Sequence, residues 1–161
     1  MVRIHMKRPL ALLVACALLC CAAAWAEETP APAESAPAGL PSSEEELTTA
    51  PAKGYVLVTT ATQSGWLALP EEGEVSFPLR QIKPDSTEAL NVIHLTPNSV
   101  YMEDATCENH DCIEEGEVTL ENRNERVLYN MIVCLPNQVM LALYTPEEVL
   151  TLVKRGQVKL K

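Results

Sequence analysis

The chain has 161 residues, and its 47% apolar content is inflated by one uncharged apolar run over residues 10–26. Setting residues 1–26 aside as an export signal leaves 135 residues, enough for one ordinary domain with tails and too few for an enzyme with separate cofactor and substrate lobes. The same step removes Arg3, Lys7 and Arg8 and leaves 9 basic against 22 acidic side chains, a formal charge of −13, which excludes binding to nucleic acid by phosphate neutralisation.

Residues 1–8 carry three basic side chains, residues 10–24 are apolar, and Ala24-Trp25-Ala26 supplies small residues where a signal peptidase reads. Cleavage is therefore expected between Ala26 and Glu27. Retention as an anchor is the competing reading, because the apolar run reaches the short end of the ~17–25 residues that cross a bilayer, and only then does the chain touch a membrane. Cys20 and Cys21 end the run, but they follow Leu19 and Cys20 and not the small residue of a lipoprotein signal. Basic residues before the run and acids after it place the remainder outside the cytoplasm, secreted or associated with the cell envelope.

Residues 27–53 are rich in Pro, Ala, Glu, Ser and Thr, with Leu40 and Leu47 the only sizeable apolar side chains from residue 29 onward. Such a segment buries too little surface to offset its ordering entropy, so a disordered, locally extended linker is expected, with Glu44-Glu45-Glu46 as a solvated charge run.

From residue 54 to 144 the pattern changes to short apolar runs rich in β-branched and aromatic residues, punctuated by Gly, Pro, Asn and Asp. Strands are expected near 55–60, 65–69, 74–79, 90–95, 100–103, 117–120, 130–135 and 139–144. Thr96-Pro97-Asn98-Ser99 and Leu135-Pro136-Asn137-Gln138 each combine a Pro with an Asn that tolerates a left-handed conformation, and each predicts a hairpin. In the last strand both faces are apolar, Val139, Leu141 and Leu143 on one and Met140, Ala142 and Tyr144 on the other, so it is expected at the centre of a sheet. The fold class that follows is mainly β, a small antiparallel barrel or sandwich with one C-terminal amphipathic helix.

That helix lies in the remaining segment, residues 145–161. Thr145 and Glu148 have capping-box spacing, Pro146 suits the first helical position, and Lys154 and Arg155 suit the C-terminal end before Gly156. Val149, Leu150, Leu152 and Val153 form one apolar stripe, expected to pack against the β-domain.

The chemically informative stretch runs from Cys107 through Glu108, Asn109, His110 and Asp111 to Cys112, reaches Gly116, and is followed by Ile132-Val133-Cys134-Leu135-Pro136-Asn137. Two cysteines with four residues between them, a Gly four positions after the second and an Ile-Val-Cys-Leu-Pro segment entering a final apolar hairpin resemble the NusG domain II family. The resemblance covers roughly residues 54–144 and is most specific in its last third. It implies a compact β-barrel that in exported members stands alone behind a signal or anchor, in the company of membrane electron-transfer and quinone machinery. Transcription is not implied, because elongation factors of that name contact polymerase and nucleic acid mainly through other domains. Two features depart from the family: Glu108-Asn109 replaces a common Pro-Asp, and the connection over residues 119–131 is long and charged, with Arg123, Glu125 and Arg126.

Three readings of Cys107, Cys112 and Cys134 remain open. One is a disulfide with a spare thiol, in keeping with an oxidising compartment; a Cys107–Cys112 bridge would contribute about 2 kcal/mol and a bridge to Cys134 about 3 kcal/mol by loop entropy. A second is a zinc or copper(I) site formed by Cys107, His110, Cys112 and Cys134. The third is a redox pair, disfavoured because Glu108, Asp111, Glu114 and Glu115 oppose thiolate formation. Elsewhere there is no phosphate loop, nucleophile elbow or His-Glu-x-x-His pair. Glu103 and Asp104 are expected on opposite faces of a strand, and His94 as a satisfied core residue. No cofactor is required by any motif. The expectation is a non-enzymatic binding or scaffolding module serving an unidentified envelope protein, with a metal-binding or thiol-redox accessory as the alternative.

Overall fold

The computed structural model describes residues 39–160. The expected signal, its Ala26–Glu27 cleavage point and residues 27–38 lie outside the described residues. The elements in chain order are α1 (Glu44–Thr49), β1 (Tyr55–Thr59), β2 (Ser64–Ala68), β3 (Val75–Ile82), β4 (Glu88–Leu95), β5 (Ser99–Ala105), α2 (Asp111–Glu114), β6 (Val118–Thr119), β7 (Met131–Cys134), β8 (Val139–Tyr144) and α3 (Pro146–Lys154). All eight expected strands form.

The strands make two separate four-stranded antiparallel sheets, ordered β2-β1-β8-β7 and β3-β4-β5-β6. The architecture is therefore a sandwich, not the barrel that the resemblance implied. Val56, Val58, Leu141, Leu143 and Ile132 of the first sheet meet Ile93, Leu95, Val100, Met102 and Val118 of the second in one core. The strand period of two sends Tyr55, Trp66, Ala68 and Tyr144 to the other face of the first sheet. β8 lies between β1 and β7, the central place that its two apolar faces predict.

The outer face of the first sheet is covered by helices at both ends of the domain. Val149 of α3 is buried there with Leu47 of α1, and Leu150 and Val153 pack alongside. The α3 terminus is held by its capping box, with Thr145 Oγ1 accepting from Glu148 N and Glu148 accepting from Thr145 N. The expected disordered linker is corrected over its described part. Residues 44–49 form α1, capped by the Ser43 hydroxyl, and Leu47 is only 1% exposed. One well-placed Leu against Tyr55 and Val149 suffices, because the sheet face there is already apolar and would otherwise meet water.

Both expected hairpins form, with Thr96 N donating to Ser99 O and Gln138 N to Leu135 O. In the second hairpin the left-handed residue is Gln138, at φ 54°, and not Asn137. Asn137 is instead buried, its Nδ2 donating to Asn91 Oδ1 of β4 at 3.0 Å.

Two further expectations are corrected on the second sheet. His94 is buried, but on the face of β4 opposite Ile93 and Leu95. There it stacks on Tyr101 and contacts Ser76, Glu74 and Glu103. The β4–β5 register shifts between Val92 and Ile93, and the bulge leaves Glu103 and Asp104 both exposed instead of on opposite faces. Glu103 accepts from the Ser76 hydroxyl and Asp104 from Ala105 N, so the two carboxylates have separate partners. Among the described residues, no helix is long and apolar enough to cross a membrane.

Candidate site: a buried three-sulfur cluster

Three segments that enter the core at one end of the sandwich each deliver a sulfur. Cys107 follows the end of β5, where Thr106 N donates to Leu90 O and keeps the chain against β4. Cys112 lies in α2, a single turn entered through His110 in the left-handed region at φ 54°. Gly116, at φ 72°, leaves that turn and lets its N–H bond back to Ile113 O. Cys134 ends β7, paired with Val139 of β8 in the register set by the Pro-Asn hairpin.

The Cys107 and Cys112 sulfurs are 3.6 Å apart, and all three sulfurs lie within 4.8 Å of one another. The residues are 3%, 1% and 1% exposed. All three are thiols in this structure, so the expected disulfide is not formed; a bond would need a sulfur separation of about 2.05 Å. His110 does not join the cluster. It is exposed, its side chain makes no cap hydrogen bond, and it lies outside the group of three sulfurs. The four-ligand set expected from the sequence is thus reduced to three sulfurs.

Burial, followed by the neighbouring Cys134 and Cys107 sulfurs, pushes the Cys112 thiol far above the ordinary thiol range. A thiol so raised is a poor nucleophile, which weighs against redox cycling through this residue. A cation among the three sulfurs reverses that balance, because coordination removes the proton outright. Tetrahedral zinc bonds to sulfur at about 2.3 Å, which sets adjacent sulfurs about 3.8 Å apart, so the observed triangle needs only small shifts to hold such an ion.

The surroundings support the cluster from one side and open it on the other. Glu115 accepts from Val133 N at 2.8 Å through its carboxylate, joining the exit of α2 to the strand that carries Cys134. Burial raises the Glu115 carboxyl, opposed by that backbone N–H and by Arg126. Arg126 donates to the carbonyls of Glu115, Gly116, Tyr129 and Met131, so the long charged connection is tied down onto the segment after α2. This role was not legible in the sequence, where Arg126 stands ten residues after Gly116 in a charged connection. A cleft of about 250 Å³ lies beside the sulfurs, lined by Cys112, Cys134, Asp111, Glu115, Leu128 and Leu135 among others, whereas Cys107 does not line it.

Residues 68–145 match the family model described as NusG domain II, a span that contains all three cysteines and the final hairpin. Over this segment the chain is similar to the NusG domain II family. The match begins at the end of β2, so β1, which pairs with β8 in the first sheet, lies before it. A crystal structure of a Listeria innocua protein is similar at 12% identity, covering 57% of this chain and 95% of that one with a TM-score of 0.45. A DUF1312 family protein from Enterococcus faecalis is similar at 13% identity, covering 57% and 97% with a TM-score of 0.43. A further DUF1312 family protein, from Ruminococcus gnavus, reaches 20% identity over 56% and 96% with a TM-score of 0.33. No curated protein sequence matches the chain. NusG domain II is not a known enzyme family.

Proposed function

We propose that this protein is an exported, non-enzymatic module of the cell envelope that binds a soft metal cation, zinc or copper(I), through Cys107, Cys112 and Cys134. The observation that carries this reading is the convergence of three buried sulfurs within 4.8 Å from three separate segments. Buried sulfur is suited to soft cations, and three thiols held this close need only lose their protons to the bound ion to become its ligands. The export signal at residues 1–26 and the acidic composition support an extracytoplasmic address, where the module would serve an envelope protein.

The test is titration of the reduced mature protein with zinc and with copper(I) under anaerobic conditions, followed by elemental analysis. One equivalent retained through desalting by the native chain, and lost in Cys112→Ser and Cys134→Ser, is the expected result. No retained metal in a folded, fully reduced protein overturns the reading. A second reading rests on the 3.6 Å separation of the Cys107 and Cys112 sulfurs, close enough for oxidation to a bridge with modest movement. One free thiol per chain after isolation in air, with no metal, would favour that structural staple.

A further inference from the structure

We propose that the metal held by the three sulfurs keeps one exchangeable coordination position, that this position faces the cleft beside Cys112 and Cys134, and that it takes an imidazole in preference to an anion. This inference rests on the metal-binding reading above. Three protein ligands leave zinc one position short of four, the arrangement of sites that exchange an outside ligand. His110, the side chain that would have closed the set, is exposed and outside the sulfur group, and the described residues place no other metal-ligating side chain with the three sulfurs.

Cys112 and Cys134 line the cleft although each is only 1% exposed, so the cleft is the side from which an outside ligand would approach the ion. The cleft of about 250 Å³ accommodates a five-membered ring with room to spare. Its chemistry is two-sided. Leu128, Val133, Leu135 and Pro136 form an apolar wall suited to the face of an aromatic ring, while Asp111 and Glu115 add negative charge to that of the thiolates. Apart from the neutral Asn109, the cleft's polar side chains Asp111 and Glu115 present like charge to an anionic ligand, whereas a neutral nitrogen donor meets no such repulsion. Imidazole can come from a small molecule or from a histidine side chain of a partner protein; the coordination chemistry is the same.

Cobalt(II) reports both halves of the proposal, because its visible bands follow coordination number and ligand type. The reduced mature chain is loaded with one equivalent of cobalt and titrated with imidazole, with azide and with a short unstructured histidine-containing peptide. Imidazole is expected to shift the bands saturably and azide to bind at least about tenfold more weakly, the factor of a single unfavourable charge contact at a partly exposed site. A peptide that binds more tightly than free imidazole assigns the natural ligand to a partner's histidine; equal binding assigns it to a small molecule. Leu135→Trp, at a rim position 78% exposed, fills the cleft without disturbing the core and should abolish the imidazole shift while leaving cobalt bound. Failure of the native chain to bind cobalt overturns the metal reading itself. Cobalt bound with bands indifferent to imidazole overturns only the open position. Azide binding as tightly as imidazole overturns the selection by charge.

Discussion

Asn137 of the β7–β8 hairpin reaches across the sandwich to Asn91 of β4, its Nδ2 donating to Asn91 Oδ1 at 3.0 Å in a site that excludes water from both. Asn91 lies in a strand of the second sheet and Asn137 in the turn that joins two strands of the first, so this amide pair ties that turn to the facing sheet. Asn91 Nδ2 also donates to Met102 Sδ, so the pair is embedded in the core beside the cysteine end of the fold.

Truncating one partner should cost more than replacing both. Asn137→Ala leaves the buried Asn91 carbonyl oxygen without a donor and should lower stability by about 1–3 kcal/mol. The double variant Asn91→Leu with Asn137→Leu should lose less than the sum of the single changes, because no polar group is then stranded. Urea midpoints of the three variants test this; strict additivity would show that the amides do not act as a pair.

Leu47 makes α1 part of the domain. Leu47→Ala should cost about 2–5 kcal/mol, the range for a fully buried Leu. A chain begun at residue 54 should lose at least as much, because Tyr55 and Val149 would then be exposed. Thermal unfolding of both, compared with a chain begun at residue 39, decides whether the ordered domain starts before or after α1. A residue-54 chain as stable as the longer one would return this segment to the status of a linker.

Arg126 should hold the 119–131 connection in place. Its guanidinium donates to four backbone carbonyls on both sides of the cleft-bearing segment. Arg126→Ala should destabilise by about 1.5–3 kcal/mol, the range for hydrogen bonds to a charged group. Amide exchange should rise in residues 126–131 and at Gly116 while the β1–β8 ladder stays protected. Unchanged exchange in the connection would remove Arg126 from this role.

The contact between Arg123 and Glu148 predicts a pH dependence. Burial pushes the Glu148 carboxyl up, but its hydrogen bonds from Arg123 and from Thr145 N outweigh that and hold it below the usual value of 4.5. A carboxyl depressed in the folded state contributes stability above about pH 4.5 that is lost as the pH falls through its folded value. The Glu148 side chain is 45% exposed, so solvent screening keeps the contribution to no more than about 1 kcal/mol. Glu148→Gln should therefore be less stable than the native chain at pH 7, with the gap closing below pH 4.5. Urea unfolding across that range is the measurement, and a gap independent of pH would sink the assignment.

Much of the fold was legible because strand rhythm and turn chemistry are local. Val139 to Tyr144 announced a central strand by being apolar on both faces, and Thr145-Pro146 with Glu148 announced a capped helix. The errors share one cause. Leu47 reads as an isolated apolar residue among Glu and Thr, and only the bare face of the first sheet turns it into an anchor. His94 alternates with apolar residues, and only the covering by Tyr101 and the carboxylates of Glu74 and Glu103 separates a buried outer face from the core. Asn137 reads as a turn residue, and only the facing sheet makes it an interior donor.

The candidate site divides in the same way. The sequence alone determined that three cysteines lie beyond residue 26, that two flank a short loop and that the third enters the last hairpin. Those statements depend on spacing and composition, which the chain carries in one dimension. Only the tertiary structure decided that the three sulfurs meet in one buried cluster while His110 stays in solvent. That outcome depends on the left-handed turn at His110, the register of β7 against β8 and the packing of α2 on the sandwich. Contacts between residues 22 to 27 positions apart are set by how the two sheets bury their shared core, and no local pattern encodes that distance.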